Sequence, residues 1–294
     1  MSFALQVKQE LCENGLGKRC CMKAELAAFF LFGARRQSES VVKTVTEHAA
    51  VAQRLYMLLQ KVFGVHAKVE VHHHRGTATY HLSVERDVPK MLLELGIEGQ
   101  FRIPYQLLGE ECCMKAFLRG AFFSCGSVTD PEKNYHMEFV TFRRALSRDF
   151  VSFLHEMGME AKSTVRKSNY VIYMKSGDMI EQALVLMGAT AAMLEFENVR
   201  VLKEVNNASN RAVNCDMANV DRQLRAAEKQ AAAIQKLQAA GKGLPPELKE
   251  FCRVRLAYPN ASLEELGKRM DPPLSKSGVN HRMRKLMAMA EGLE

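Results

Sequence analysis

The chain has 294 residues, which predicts about two domains at roughly 100–200 residues each. With 47% hydrophobic and 25% charged residues, its composition excludes an intrinsically disordered protein. No apolar run approaches the roughly 20 residues that a membrane-spanning helix needs, and the N-terminal residues lack a signal-peptide core, so we expect a soluble, cytoplasmic protein.

The net charge of +8 comes from 41 Lys and Arg against 33 Asp and Glu. Residues 219–294 carry 14 of the basic and 9 of the acidic residues, so the last quarter of the chain holds most of the excess. A basic excess indicates a polyanionic partner, and its position indicates that the C-terminal region binds that partner.

The eight cysteines form no CxxC motif, but they include two adjacent pairs, Cys20-Cys21 and Cys112-Cys113. Adjacent cysteines seldom ligate one tetrahedral metal ion together, and a chain of this length does not depend on disulfides. We therefore expect free thiols that act as small hydrophobic side chains. The sequence predicts no metal site and no cofactor.

An internal repeat organises the first two hundred residues. The segment CCMKAEL at Cys20–Leu26 recurs as CCMKAFL at Cys112–Leu118, and a glycine at Gly64 recurs at Gly158. Two copies of one unit, at about residues 20–96 and 112–188, therefore follow each other.

The sequence pattern of each copy predicts a helix, an extended segment, a second helix, a two-stranded hairpin and a short final helix. In the first copy these elements are Met22–Ala34, Ser40–Thr46, Ala50–Phe63, Ala67–His72 with Thr77–Val84, and Val88–Leu95. In the second copy they are Met114–Ser124, Tyr135–Phe142, Leu146–Met157, Ala161–Arg166 with Tyr170–Lys175, and Met179–Met187.

This order resembles the LAGLIDADG homing-endonuclease fold, in which two motif helices pack together at a pseudo-twofold axis. Small residues in those helices let the backbones approach closely. The first, third and ninth motif positions are occupied here by Leu118, Gly120 and Gly126, and in the first copy by Leu26, Ala28 and Ala34. The resemblance implies a duplicated α/β repeat domain with pseudo-twofold symmetry.

The eighth motif position departs from that family. Active members place a carboxylate there on each helix, and the two carboxylates hold divalent metal ions against the scissile phosphates. Here the two former catalytic positions are Gly33 and Cys125, and the nearest acids, Glu39 and Asp130, lie beyond the predicted helix ends. We therefore expect no catalytic residues, and a binding scaffold derived from a nuclease fold.

Two other groups of residues in the repeat domain each allow two functional interpretations. His72 and His74 share one face of a strand and suit either a metal or, as we favour, a polar hairpin end that contacts phosphate. The basic pairs Arg143-Arg144 and Arg166-Lys167 suit either a DNA-contacting sheet face or ordinary surface charge. The near-neutral balance of this half argues against a strong binding face.

A connector follows the repeats. The segment Val205–Ala218 is rich in asparagine, which favours turns, so it predicts a linker or a plain polar loop. Residues 219–240 have few helix breakers and predict a long helix. The predicted organisation is a repeat domain at 1–205, a connector and linker helix at 206–243, and a C-terminal domain at 244–294.

The C-terminal domain predicts three short helices. The first runs from about Pro246 to Ala257, the second is Leu263–Met270, and the third runs from about Ser275 to Ala290. A capping box, Ser262 with Glu265, opens the second helix. This order predicts an all-α helix-turn-helix domain, with a plain helical bundle as the alternative.

The third helix has one apolar face, with Val279, Met283 and Leu286, that would pack on Phe251, Leu263 and Leu266. Its other residues are basic or hydrogen-bonding, as suits a helix in the DNA major groove, where Asn reads adenine and Arg or Lys reads guanine. The predicted DNA-binding residues are Lys276, Ser277, Asn280, His281, Arg282, Arg284 and Lys285.

Three segments resemble the WhiA family: FLRGAFFSCGSVTDP at Phe117–Pro131, NRAVNCDMAN at Asn210–Asn219 and LSKSGVNHRMRKL at Leu274–Leu286. The resemblance implies a nucleoid-associated, double-stranded-DNA-binding transcription regulator linked to cell division or sporulation, without nuclease activity. Two alternatives stay open: a cell-division interaction scaffold with protein partners and secondary DNA binding, and a metal-dependent endonuclease.

Overall fold

The structure, a computed structural model, describes residues 2–38, 40–74, 76–97, 101–241 and 243–292. The chain divides into two compact units, Met1–Lys203 and Glu204–Glu294. The first unit combines helices with two sheets and the second is helical, which confirms the predicted α+β class. Over the described ranges, no helix has both the length and the apolar character that crossing a membrane requires.

The elements of the first unit follow the repeat. The first copy contains α1 (Phe3–Glu13), α2 (Arg19–Gly33), β1 (Arg35–Ser38), β2 (Val41–Thr46), α3 (Ala49–Phe63), β3 (Lys68–His74), β4 (Thr77–Val84) and α4 (Val88–Glu94). The second copy contains α5 (Glu111–Cys125), β5 (Gly126–Val128), β6 (Met137–Thr141), α6 (Arg144–Glu156), β7 (Lys162–Arg166), β8 (Asn169–Met174) and α7 (Gly177–Met187). Helix α1 and strands β1 and β5 are additions to the predicted elements.

The two sheets have the same topology. Their antiparallel strands are ordered β1-β2-β4-β3 in the first copy and β5-β6-β8-β7 in the second. Strands β1 and β5 are short and directly follow a buried helix, so neither carries an alternating pattern of its own. The matching strand orders confirm that each repeat folds into the same unit.

Helices α2 and α5 form the centre of this unit. Small side chains at Ala24, Ala28, Ala116 and Ala121 are buried at or below 1% exposure, as close helix packing requires. Gly120 is the tightest point, because a Cβ there would lie 2.3 Å from the carbonyl oxygen of Glu25. The predicted central helix pair with small residues at its contact is therefore present.

A buried ion-pair network joins the two copies. The Glu25 carboxylate, fully buried in α2, accepts from Arg54 Nε at 2.5 Å and from Arg119 Nη2 at 2.6 Å. Arg54 lies in the first copy and Arg119 in the second. Arg148, the repeat counterpart of Arg54, is exposed, so the network breaks the pseudo-symmetry.

Helix α8 (Thr190–Ala239) is continuous for 50 residues. The expectation of turns in Val205–Ala218 is therefore wrong. Asparagine costs a helix only about 0.7 kcal/mol per residue. Because Phe196 is buried near one end of α8 and Ile234 near the other, the helix is nucleated on both sides of this segment, and extending an existing helix is cheap.

Candidate nucleic-acid interface

The C-terminal helices pack around a small apolar core. Helices α9 (Pro246–Ala257), α10 (Leu263–Lys268) and α11 (Lys276–Glu291) bury Phe251, Leu266, Val279 and Leu286 in one cluster. Ile234 and Leu237 from the end of α8 complete it. The structure thus brings the apolar face of α11 onto Leu266 and Phe251, as the sequence predicts.

The capping box forms at the start of α10. Ser262 Oγ accepts from the backbone N–H of Glu265 at 3.2 Å, and Glu265 Oε2 accepts from the backbone N–H of Ser262 at 2.8 Å. These reciprocal bonds satisfy two amides that the helix leaves unpaired at its N-terminus. The short helix therefore has a defined first residue.

Gly267 fixes the turn between α10 and α11. The backbone N–H of Leu274 donates to the Gly267 carbonyl at 2.9 Å, and a Cβ on Gly267 would lie 2.2 Å from the Leu274 carbonyl oxygen. Only glycine allows this approach of one backbone to the other. The turn therefore holds the start of α11 against α10.

Arg255 is a buried residue of α9 that the sequence analysis did not single out. Its guanidinium is 2% exposed, and Nη1 donates to the carbonyl of Ala261, just before α10. Burial lowers the pKa of Arg255. Helix α9 also contains Lys249 and Arg253, and the sequence gives no signal that Arg255 is the buried one, so only the packing of α9 reveals this contact.

The predicted DNA-binding residues lie on the solvent side of α11. Lys276, Ser277, His281, Arg284 and Lys285 are exposed, while Asn280 and Arg282 are half-buried. Ser277, His281 and Arg284 follow one another at the four- and three-residue spacing that places side chains on one helix face. These three exposed side chains therefore lie opposite the packed face of α11.

Two of these residues have contacts inside the domain. Arg282 Nη1 lies 3.5 Å from the carbonyl oxygen of Glu247, so this side chain leans toward α9. Ser277 Oγ lies 2.9 Å from Ser275 Oγ, which accepts from the backbone N–H of Gly278 and caps the helix. No acidic residue occurs from Lys276 to Ala290, so every residue on this face that carries a full charge is basic.

The former catalytic positions end the two central helices. Gly33 is the last residue of α2, and a Cβ there would lie 2.2 Å from Ser124 Oγ. Cys125 is the last residue of α5, its Sγ donates to the Ala121 carbonyl at 3.4 Å, and burial raises its pKa to about 12. Mg²⁺ binds through oxygen atoms. Gly33 has no side-chain ligand, and the neutral thiol of Cys125 is a poor one.

A buried lysine lies at this end of α5. Lys8, in α1, is 9% exposed, and its Nζ donates to the Phe123 carbonyl at 3.3 Å. Burial lowers the pKa of Lys8, and the nearby Glu47 carboxylate opposes that shift. Asp130 accepts from the backbone N–H of Glu132 in a turn, and Glu39 lies outside the described residues.

The basic pairs on the second copy are partly structural. Arg143 donates to the Leu31 carbonyl at 2.7 Å, and its guanidinium lies 3.6 Å from the ring centre of Phe101. Arg166 binds the Glu138 carboxylate at 3.0 and 3.1 Å. Arg144 and Lys167 are exposed. Two of the four basic side chains therefore have partners within the protein, and two are exposed.

His72 and His74 are exposed on β3. The His72 ring lies 4.3 Å from the ring of His81, and its Nε2 is 3.7 Å from Glu70 Oε2. Among the described residues, the pair is not part of a group of three or more metal-ligating side chains. These contacts suit a polar surface.

Comparison with known proteins supports the same architecture. Family models match residues 19–98 as the WhiA N-terminal LAGLIDADG-like domain, 114–206 as the WhiA LAGLIDADG-like domain and 209–290 as the WhiA C-terminal HTH domain. Proteins called "Probable cell division protein WhiA" are 38% identical in Alkaliphilus metalliredigens (99% of this chain, 98% of the relative) and 39% identical in Heliobacterium modesticaldum (99% and 96%).

Solved structures match the fold. Full-length WhiA from Thermatoga maritima superposes with a TM-score of 0.63 at 23% identity, covering 99% of this chain and 98% of that one. The N-terminal LAGLIDADG domain of WhiA gives a TM-score of 0.54 at 21% identity, covering 64% and 90%. The chain therefore belongs to the WhiA family, as a WhiA-type regulator with a helix-turn-helix DNA-binding domain.

Proposed function

We propose that this protein is a sequence-specific transcription regulator of cell division or sporulation genes, that it associates with the nucleoid, and that it does not cleave DNA. The single observation that carries the proposal is the face of α11. Five exposed polar or basic side chains there lie opposite a buried apolar face, and the helix contains no acidic residue before Glu291.

The residues on that face divide into two roles. Arg284 and Lys285 supply charge to the phosphate backbone, which provides most of the binding free energy and no sequence information. Asn280, nearer the N-terminus of α11, supplies an amide for a base edge, where an amide pairs with adenine. Lys276, at the first helical position, adds charge beside the free amides of the helix N-terminus.

Binding is tested by fluorescence anisotropy of the full-length chain on duplex DNA across a salt series. Arg284→Ala with Lys285→Ala should lower affinity by roughly tenfold or more and reduce the salt slope by about 2, because two phosphate contacts are lost. Arg144→Ala with Lys167→Ala is the matched control, since it removes two exposed charges from the repeat domain. If DNA affinity fell in the control variant and not in the α11 variant, the DNA-binding surface would be on the sheets of the repeat domain.

Specificity has a different readout. Asn280→Ala should broaden the set of sequences recovered from a random duplex pool while changing non-specific binding little, because the amide contributes to base discrimination rather than to charge. A preference identical to that of the unmodified chain would remove Asn280 from the reading face.

The absence of cleavage is supported by Gly33, by the neutral thiol of Cys125 and by the Lys8 side chain, which donates to the Phe123 carbonyl near the end of α5. Supercoiled plasmid incubated with Mg²⁺ or Mn²⁺ should stay intact. Metal-dependent nicking that disappears in Asp130→Asn would establish an endonuclease and contradict this part of the proposal.

A further inference from the structure

Four cysteines meet at the start of the central helix pair. Cys20 and Cys21 are the second and third residues of α2, and Cys112 and Cys113 are the second and third residues of α5. The pseudo-twofold packing of the helices places all four Sγ atoms within 4.8 Å of one another. The sequence analysis treated these residues as separate small hydrophobic side chains, and the exposure of Cys20 and Cys112 contradicts that expectation.

The sulfur positions suit a tetrahedral ion. With Zn–S bonds of about 2.3 Å, the sulfurs of a four-thiolate site lie about 3.8 Å apart. Cys20 Sγ and Cys21 Sγ are 3.9 Å apart. One pair of adjacent cysteines cannot supply the four ligands of a tetrahedral ion. Here each of the two helices supplies two thiol ligands, so an ion between the helices would have four.

The burial of two thiols and the exposure of the other two also suit a bound cation. Cys21 and Cys113 are 7% and 2% exposed, so half of the shell is shielded from solvent. Cys20 and Cys112 are exposed and give an ion a path of entry. Both helices begin at this point, and the positive end of a helix stabilises a nearby thiolate.

We propose that Cys20, Cys21, Cys112 and Cys113 bind one Zn²⁺ as a structural four-thiolate site that links the two repeats. Binding releases the thiol protons, each sulfur donates an electron pair to the ion, and no oxidation occurs. Twelve residues of helix, or roughly 18 Å, separate Cys21 from Gly33, so the site is distinct from the former catalytic positions. The ion would hold together segments about 90 residues apart in the chain.

The test uses the full chain, purified under reducing conditions. Elemental analysis should find one zinc per chain. After zinc is removed by a chelator, Co²⁺ titration should saturate at one equivalent, with the intense visible bands of tetrahedral cobalt and ultraviolet thiolate-to-cobalt charge transfer. The zinc-loaded chain should also unfold at a higher temperature than the chelated chain.

The matched variants separate the site from the fold. Cys20→Ala with Cys112→Ala removes two exposed side chains, so the circular dichroism spectrum should stay unchanged while the cobalt bands are lost. Cys215→Ala, an exposed cysteine on α8, should leave metal binding unchanged. A reduced, folded chain that takes up neither Zn²⁺ nor Co²⁺ would overturn the proposal, and so would cobalt bands that survive in the Cys20, Cys112 variant. Disulfides formed in air by a chain that binds no metal would assign the cluster to thiol oxidation instead.

Discussion

At the scale of single residues, the buried charges in the repeat domain are held by specific partners. Glu25 receives two guanidinium groups, one from each repeat. Taking three charges out of water is costly, and the arrangement is stable only while each charge keeps its partners. Its removal should therefore affect stability far more than removal of a surface ion pair.

Glu25→Gln should lower the free energy of unfolding by about 3 kcal/mol, because it leaves the fully buried Arg54 guanidinium without a counter-charge. Glu94→Gln is the control. Its ion pair with Lys23, at 3.1 Å, is partly exposed to solvent and should contribute much less to stability. Urea unfolding followed by circular dichroism measures both, and equal effects would show that the buried network contributes no more than a surface pair.

The carboxyl of Glu181 gives a pH dependence. Burial and the neighbouring Glu197 raise its pKa to about 7, while Arg200, 2.9 Å away, lowers it. Between about pH 4.5 and pH 7, Glu181 is therefore protonated in the folded chain and ionised in the unfolded chain. The stabilising contribution of this proton is complete below that window and is lost as the pH rises through 7.

Glu181→Gln mimics the protonated form. At pH 8, the free energy of unfolding of this variant should be about 1 kcal/mol higher than that of the unmodified chain. Near pH 5 the two values should be equal. Chemical unfolding at a series of pH values measures this, with Glu160→Gln, at an exposed carboxylate, as the control for charge removal. A difference that grows as the pH falls would contradict the raised pKa.

At the scale of elements, two glycines in the helix-turn-helix have opposite roles. Gly267 lies against the Leu274 backbone, whereas the nearest atom to a Cβ on Gly278 would be Ser275 Oγ at an ordinary 3.6 Å. The first glycine is needed for the approach of α10 to the turn. The second lies in the first turn of α11, where an alanine would only reduce the conformational freedom of the unfolded chain.

Gly267→Ala should therefore destabilise the C-terminal domain by about 2 kcal/mol or more, since the obstructing atom is backbone and cannot rotate away. Gly278→Ala should be neutral or stabilising by up to about 1 kcal/mol. Thermal unfolding of the two variants measures the contrast. If both substitutions were tolerated equally, the close contact at Gly267 would not determine the turn.

At the scale of the whole molecule, α8 runs through the boundary between the two units. Every residue from Glu204 to Ala226 is exposed, and five of the side chains in this stretch are asparagines. No side chain in this stretch is buried in an apolar core, so helix stability there depends mainly on backbone hydrogen bonds and helix propensity. The ends of α8 differ, because Phe196 and Ile234 are buried in the cores of their own units.

Amide hydrogen exchange in the free protein should therefore be fastest within α8 at residues 204–226 and slower at 190–200 and 230–239. Peptide-resolved mass spectrometry measures this profile. Uniformly slow exchange along α8 would show that the exposed middle segment is covered in solution, for example by self-association. Because the comparison is internal to one helix, the two buried ends serve as the control.

The sequence by itself determined the features that depend on local signals. The repeat at Cys20 and Cys112, the capping box at Ser262 and the apolar face of α11 predict the duplicated domain and the helix-turn-helix, since caps, periodicity and self-similarity act over a few residues. The comparisons confirm the family, while the roles of the α11 side chains remain predictions for the binding experiments.

Only the tertiary structure decided what depends on contacts between distant segments. It buries Arg54 but exposes its repeat counterpart Arg148, brings Lys8 to the carboxyl end of α5, and keeps α8 helical where asparagine predicts turns. It also gathers four thiols from segments about 90 residues apart. Sequence spacing contains no such distances, because they follow from how the two repeats pack around α2 and α5.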